Sequence, residues 1–227
     1  MKRSNDDRFI SCERKWGLMI NPISDSADRL RMSRTGLIWT VMIIALLPLV
    51  FLEDGLIRTL LKEHRIHFLF KLMHFLTWLG VGWVLAVVAA VLLGFGYLRE
   101  NPKLMKAAVL SLIALAISGL AVQTIKHVIG RPRPRLVEQG IVNWGPSLQS
   151  GHDSLPSGHA LSSFAMAAVL SSFYPAGQWI WYSLAVLVAF TRIYIDAHFT
   201  SDVFVGAVLG VLIGLWASRL NLGYRKS

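Results

Sequence analysis

Six apolar stretches, at 35–52, 75–98, 105–125, 160–174, 179–190 and 203–220, limit what this 227-residue chain can become. In hydrocarbon every backbone amide and carbonyl must be satisfied within the chain, so an apolar run of about 20 residues folds as a helix that spans the bilayer. The expected fold is therefore all-α: a polytopic membrane protein built as a six-transmembrane-helix bundle. Composition agrees, since 54% hydrophobic residues, 16% charged residues and a mean hydropathy of +0.53 do not suit an ordinary soluble domain. The fourth and fifth stretches are short unless they borrow the polar flanks 156–159 and 191–197, whose burial would demand a reason. Between the first two spans, "DGLIRTLLKEHRIHFLFKLMHF" mixes apolar and basic residues and reads as an amphipathic helix in the headgroup layer, with His64, His67 and His74 as interfacial packing residues. Without repeats, low-complexity segments or linkers, the chain divides into a cytoplasmic tail at 1–34, one membrane domain at 35–220 and a cytoplasmic tail at 221–227. Its charged amino terminus lacks the apolar core of a cleavable signal, and the single Cys12 forms no internal disulfide.

Charge narrows the partner. Twenty-three Lys and Arg against 13 Asp and Glu, a net +10, fit an anionic phosphorylated lipid or the bilayer's own headgroups. Nucleic acid is disfavoured, because the cations are scattered between apolar spans and form no continuous stripe. No obligate protein partner is evident. With a cytoplasmic amino terminus, most cations fall in inner segments, as the positive-inside tendency requires. The loops at 126–159 and 192–202 then emerge on the outer side, and yet they carry Lys126, Arg131, Arg133, Arg135 and Arg192. Cations kept there against the tendency are expected to act on something.

The polar residues of those loops have the chemistry for it. Lys126 and Arg133, seven residues apart, share one side of a helix that reaches as far as the prolines at 132 and 134. In "LPSGHALSSF", Pro156 and Ser157 precede an apolar helix, Gly158 admits close approach of a ligand, and the free amides of the helix start are an anion site beside His159. In "TRIYIDAHFTSD", Arg192 offers a planar fork for phosphate. His198 and Asp202 stand at i and i+4, where a carboxylate orients an imidazole whose other nitrogen attacks and carries a phosphoryl group.

Together these segments resemble the tripartite signature of the type 2 phosphatidic acid phosphatase superfamily. K-x6-R-P is matched by Lys126, Arg133 and Pro134; P-S-G-H by Pro156, Ser157, Gly158 and His159; and S-R-x5-H-x3-D by Thr191, Arg192, His198 and Asp202, with Thr for Ser as the one departure. The resemblance implies that His198 is the nucleophile, that Asp202 orients it, and that His159 protonates the leaving group and then activates water. Lys126, Arg133, Ser157, the Gly158 amide and Arg192 would cradle the phosphoryl oxygens. It implies an enzyme of the bacterial inner membrane, its site on the periplasmic or extracytoplasmic side. The substrate would be undecaprenyl diphosphate, lipid A 1-phosphate, phosphatidylglycerol phosphate or phosphatidic acid. The loops offer no carboxylate pair for Mg²⁺, so no cofactor is expected, and metal-independent catalysis is. The same intermediate would also serve a lipid-to-lipid phosphotransferase. A non-enzymatic transporter or scaffold fits less well, because the ionisable groups gather at one edge and not at midplane. Off the signature, Arg131 and Arg135 are expected to anchor to headgroups, His127 and His152 to be loop residues, and Asp153 to pair with a nearby Arg. Trp144, in the 136–154 loop, is expected at an interface, making that loop the candidate specificity element.

Overall fold

The computed structural model describes residues 42 and 45–220, so half of the first apolar stretch and the expected tails at 1–34 and 221–227 lie outside the described residues. The chain divides into units 1–48 and 49–227; of the first, helical residues 42 and 45–48 are described. The second unit runs α1 (Asp54–Glu63), α2 (His67–Leu76), a 3₁₀ turn (Thr77–Gly80), α3 (Gly82–Leu98), α4 (Pro102–Ile129), α5 (Pro134–Glu138), α6 (Gly158–Phe173), a 3₁₀ turn (Pro175–Gly177), α7 (Gln178–Tyr194) and α8 (Thr200–Ser218).

The all-α expectation holds, with no strand among the described residues. By length and composition two segments among the described residues can cross a membrane, 102–138 (α4 and α5 taken together) and α8, and a third can if the pair 67–80 and 82–98, bent by 55°, counts as one span. At 16 and 17 residues, α6 and α7 stand at the lower limit of the about 17 to 25 residues of a full crossing. The segment expected as one interfacial helix is two ten-residue helices, broken where the backbone turns extended at Ile66. The break is pinned to the end of α7: the Ile66 amide donates to the Tyr194 hydroxyl at 3.1 Å and the Arg65 guanidinium to the Tyr194 carbonyl at 3.2 Å.

The helix α4 begins with Asn101, whose side chain accepts the Leu104 amide, and ends at Gly130 in the left-handed region, whose amide donates to the Lys126 carbonyl. A Cβ at Gly130 would stand 1.7 Å from the Gly145 carbonyl oxygen, so glycine is required there both for its φ and for the returning loop. The helix therefore stops short of Arg133, and the expectation that Lys126 and Arg133 share one helical face is corrected. Arg133 is reached through an extended segment.

The helix α6 is the hub, packed on α3, α4, α7 and α8. Its contact with α8 is the tightest, because Gly206, Gly210 and Gly214, four residues apart, turn one face of α8 onto the α6 backbone. Added Cβ atoms would approach the carbonyl oxygens of Ser157, Leu161 and Ala165 to 2.6, 2.3 and 2.3 Å. Where apolar burial gives no advantage over lipid, such close backbone approach is the main source of helix association. Leu110, Ala114, Ala165, Val169 and Ala217 continue the small-residue core between α4, α6 and α8. This seam fixes the start of α6 against the start of α8. The Ser157 amide donates to the Asp202 carbonyl at 3.0 Å, which sets the two motif-bearing helix ends side by side.

Candidate active site

His198 lies in the turn between α7 and α8 and is almost wholly buried, at 3% exposure. Its Nδ1 bonds the Ser154 carbonyl at 2.8 Å. A carbonyl only accepts, so Nδ1 carries the hydrogen and Nε2 presents a lone pair. Burial, first of all, pushes the imidazole down to about 4. Arg192 and Arg133 act in the same direction, and Asp202 opposes them. The ring is therefore neutral at physiological pH.

Asp202 takes a different place from the one its spacing predicts. It is the third residue of α8, and His198 lies before that helix, so the i, i+4 pair does not lie on a continuous turn. Its Oδ2 stands 3.7 Å from His198 Nδ1, an electrostatic contact beyond hydrogen-bond length. The carboxylate instead accepts from Arg131 Nη1 at 2.6 Å, Ser154 Oγ at 2.6 Å and the Phe199 amide at 2.9 Å. Ser154 thus joins the two groups, its hydroxyl donating to Asp202 and its carbonyl accepting from His198. The signature does not include it, and only its position two residues before Pro156 could have drawn attention to it.

Arg192 and Arg133 act electrostatically on the ring, and Lys126 lies within reach of both. Arg133 grips Asp153 through two bonds of 2.8 and 2.7 Å, and Lys126 Nζ stands 3.7 Å from the same carboxylate, which confirms the expected partner of Asp153. Burial alone would raise the Asp153 carboxyl, but the Arg133 hydrogen bonds and charge, with Lys126 beyond, hold it below its ordinary value. Arg192, at the end of α7, donates to Thr77 Oγ1 at 2.8 Å. Lys126, Arg133, Arg192 and His198 all act electrostatically on His159, on the first turn of α6. The structure thus gathers these groups at one place, where α4 and α7 end and α6 and α8 begin. Two of the expected phosphate ligands, Ser157 and Arg192, hold buried polar atoms, Oγ and Nε, without a hydrogen-bond partner. In α6 the first intrahelical bond is from Leu161 to Ser157, so the amides of Gly158, His159 and Ala160 have no partner within the helix. A Cβ at Gly158 would meet only Val122, at 3.7 Å.

Other expectations fare variously. Arg131 does not anchor to headgroups: it is 6% exposed and paired with Asp202 and Asp54, a carboxylate in the first turn of α1 that sequence reasoning passed over. Arg135 is exposed. His127 bonds the Ser147 carbonyl at 3.0 Å, holding the loop to the end of α4. His152 has a buried Nδ1 without a partner. Trp144 is half exposed, with its ring 4.9 Å from the Arg131 guanidinium. Among the described residues no group of three or more His, Cys, Asp or Glu is placed to hold a metal ion. A crevice of about 520 Å³ runs beside the site, lined by Gly80, Gly82, Gly119, Gln123, His159 and Ser162 among others.

Comparison with known proteins converges on this arrangement. The sequence profile of the PAP2 superfamily matches residues 107–225. A lipid A 1-phosphatase of Rhizobium johnstonii is 31% identical over 109 residues, which are 47% of this chain and 43% of that protein. The chain thus spans less than half of that relative. An undecaprenyl-diphosphatase of Sulfolobus acidocaldarius is 32% identical over 168 residues, 72% of this chain and 74% of that one. The crystal structure of a transmembrane PAP2-type phosphatidylglycerolphosphate phosphatase from Bacillus subtilis shares the fold, with a TM-score of 0.54 at 22% identity over 80% of this chain and 90% of its own.

Proposed function

This chain belongs to the PAP2 superfamily, and from that premise we propose that it is an integral membrane phosphatase that removes a phosphoryl group from an anionic lipid through a phosphohistidine on His198. The observation that carries the reading is the tautomer of His198. Its Nδ1–H is held by the Ser154 carbonyl, so Nε2 keeps its lone pair, and Arg192 and Arg133 act electrostatically on the ring.

In the first step the phosphate monoanion passes its proton to His159, Nε2 attacks phosphorus, the bond from phosphorus to the leaving oxygen breaks, and His159 gives that proton to the leaving oxygen. In the second step His159 takes a proton from water, the water oxygen bonds to phosphorus, and the bond from Nε2 breaks to release phosphate. Lys126, Arg133, Arg192, Ser157 and the amides at the start of α6 surround the equatorial oxygens. The Ser157 hydroxyl and the Arg192 Nε suit that role, because each is buried and gains its missing partner from the phosphoryl group. Asp202 offsets the positive charge the ring gains while phosphorylated. Fixed cations supply the charge stabilisation, so the proposed reaction needs no metal.

The substrate class is a phosphorylated envelope lipid, and the names of the relatives, lipid A 1-phosphatase and undecaprenyl-diphosphatase, support that choice. The crevice beside His159 suits a phosphate linked to hydrocarbon that enters from the bilayer. We place the site at the extracytoplasmic face of a bacterial cytoplasmic membrane, with six crossings and both tails inside. The distribution of cations supports that orientation. The test is phosphate release in detergent from a panel of undecaprenyl diphosphate, lipid A 1-phosphate, phosphatidylglycerol phosphate and phosphatidic acid. Turnover of at least one lipid that survives strong chelation and disappears in His198→Ala is the expected result. Loss on chelation with recovery on adding Mg²⁺ would overturn the mechanism, and near wild-type turnover by His198→Ala would remove His198 as the nucleophile.

A further inference from the structure

We propose that Asp54 and Arg131, neither of them part of the signature, are positioning residues that hold Asp202 and the His198 turn in the geometry for attack. This rests on the phosphohistidine reading above.

The chain of contacts is continuous. Asp54 accepts the Ser201 amide on Oδ1 at 2.8 Å, and on Oδ2 both Arg131 Nη2 at 2.8 Å and the Ser201 hydroxyl. Arg131 Nη1 donates to Ser201 Oγ and to Asp202 Oδ1, each at 2.6 Å. Asp202 passes the constraint to Ser154, whose carbonyl holds His198, and the Ser154 amide donates back to the Arg131 carbonyl at 3.0 Å. Two carboxylates and a guanidinium, at 6%, 0% and 6% exposure, would be a costly arrangement if any one of them were unpaired. The rings of Phe199, Trp144 and Phe51, 4.3, 4.9 and 5.1 Å from the guanidinium, enclose it and keep the local dielectric low.

The placement makes the cluster more than a general staple. Asp54 and Asp202 between them accept the amides of Ser201 and Phe199, which fixes the first turn of α8 immediately after His198. Arg131 occupies one oxygen of Asp202, so the other is left for Ser154 and the turn. The group of two carboxylates and one guanidinium carries one net negative charge. That is the amount that balances an imidazole ring made cationic by phosphorylation at Nε2. Asp54 comes from α1, so the amphipathic α1–α2 segment takes part in the site through a single buried carboxylate.

The test compares Asp54→Asn, Arg131→Lys and Arg131→Met with wild type in detergent, on the best lipid of the panel and on an aryl phosphate, with thermal midpoints recorded to correct for folded fraction. We expect kcat to fall about 10-fold for Asp54→Asn and about 100-fold for Arg131→Met, the range that orienting partners of a functional imidazole command, with KM within about 2-fold on both substrates. Arg131→Lys should recover part of the loss. Because the residues act in series, Asp54→Asn should add little to Arg131→Met. The acid limb of kcat/KM gives a further readout that a merely structural role would not move. His198 is faced by Asp202 from α8, Arg192 from α7, His159 from α6, and Arg133 and Asp153 from the loop segments. Removing the cation that balances Asp202 should move the limb to higher pH in Arg131→Met. Wild-type kcat and an unmoved limb in folded variants, or losses that only track folded fraction, would overturn the proposal. If Arg131→Met yields no folded protein, Asp54→Asn and Arg131→Lys decide it by the same criteria. Absence of turnover in the wild type would instead count against the phosphatase reading itself.

Discussion

At the scale of the residue, the site works by holding a base neutral in a place crowded with cations. A free imidazole takes its proton near 6.5, and His198 takes its own only at about 4, chiefly because burial disfavours the charged ring. Between those values the unfolded chain binds more protons than the folded one, so His198 contributes stability that is full above about 6.5 and is lost as pH falls toward 4. The same shift fixes a kinetic expectation. In a profile of kcat/KM against pH with an aryl phosphate, corrected for ionisation of the substrate, the limb due to His198 should lie near 4; a wild-type acid limb near 6.5 would contradict it. Asp153 gives a second expectation. Its carboxylate neutralises Arg133 and part of Lys126, so Asp153→Asn should strengthen inhibition by orthophosphate about 10-fold; unchanged or weaker inhibition would show that Asp153 does not compete for that site. Much of this site could be read in the sequence, because Lys126, Arg133, Ser157, His159, Arg192 and His198 sit at fixed spacings. Asp54 and Ser154 could not. They lie 147 and 48 residues from the partners they bind in α8, and no local pattern marks one distant carboxylate or hydroxyl over another.

At the scale of the element, two helix ends decide the geometry. The seam of Gly206, Gly210 and Gly214 brings α8 onto α6, so Gly210→Ala forces a methyl group to 2.3 Å from the Leu161 carbonyl. Overpacking of this kind costs about 1–3 kcal/mol, which should appear as a lowered thermal midpoint in detergent and as a smaller loss of turnover. A midpoint equal to wild type would mean that the seam is not close-packed. The crevice gives the opposite case. A Cβ at Gly119 meets nothing within 4 Å, so Gly119→Leu should fold normally and narrow the space beside His159. Turnover of a long-chain lipid phosphate should fall while that of a soluble aryl phosphate stays; equal loss on both would argue against hydrocarbon entry by this route. The glycine spacing in α8 was visible in the sequence, at i, i+4 and i+8. What misled was continuity: treating the run to Arg133 as helix ignored Gly130, whose left-handed φ and contact with Gly145 end α4 four residues after Lys126.

At the scale of the whole molecule, the long apolar runs made the all-helical class plain, whereas the number of crossings depends on helix lengths and bends that composition does not fix. The short α6 and α7 have a physical reason, because their polar ends are spent on the site and not on traversing lipid. Orientation can be tested directly in a Cys12→Ser background. Cysteine placed at Trp144 should react with an impermeant thiol reagent from the extracytoplasmic side, and cysteine at Lys103 only after permeabilisation; the reverse pattern would put the site in the cytoplasm. The account as a whole converges on one transient bond, between phosphorus and Nε2 of His198, and that bond can be trapped. His159→Ala, mixed with lipid carrying a labelled terminal phosphate and quenched within a turnover at neutral to alkaline pH, is predicted to retain label on the protein. That label should be stable to alkali, labile to acid, located at residue 198, and absent from His198→Ala. A protein that releases phosphate yet carries no label at any time in either background would contradict the covalent route and leave direct attack by water in its place.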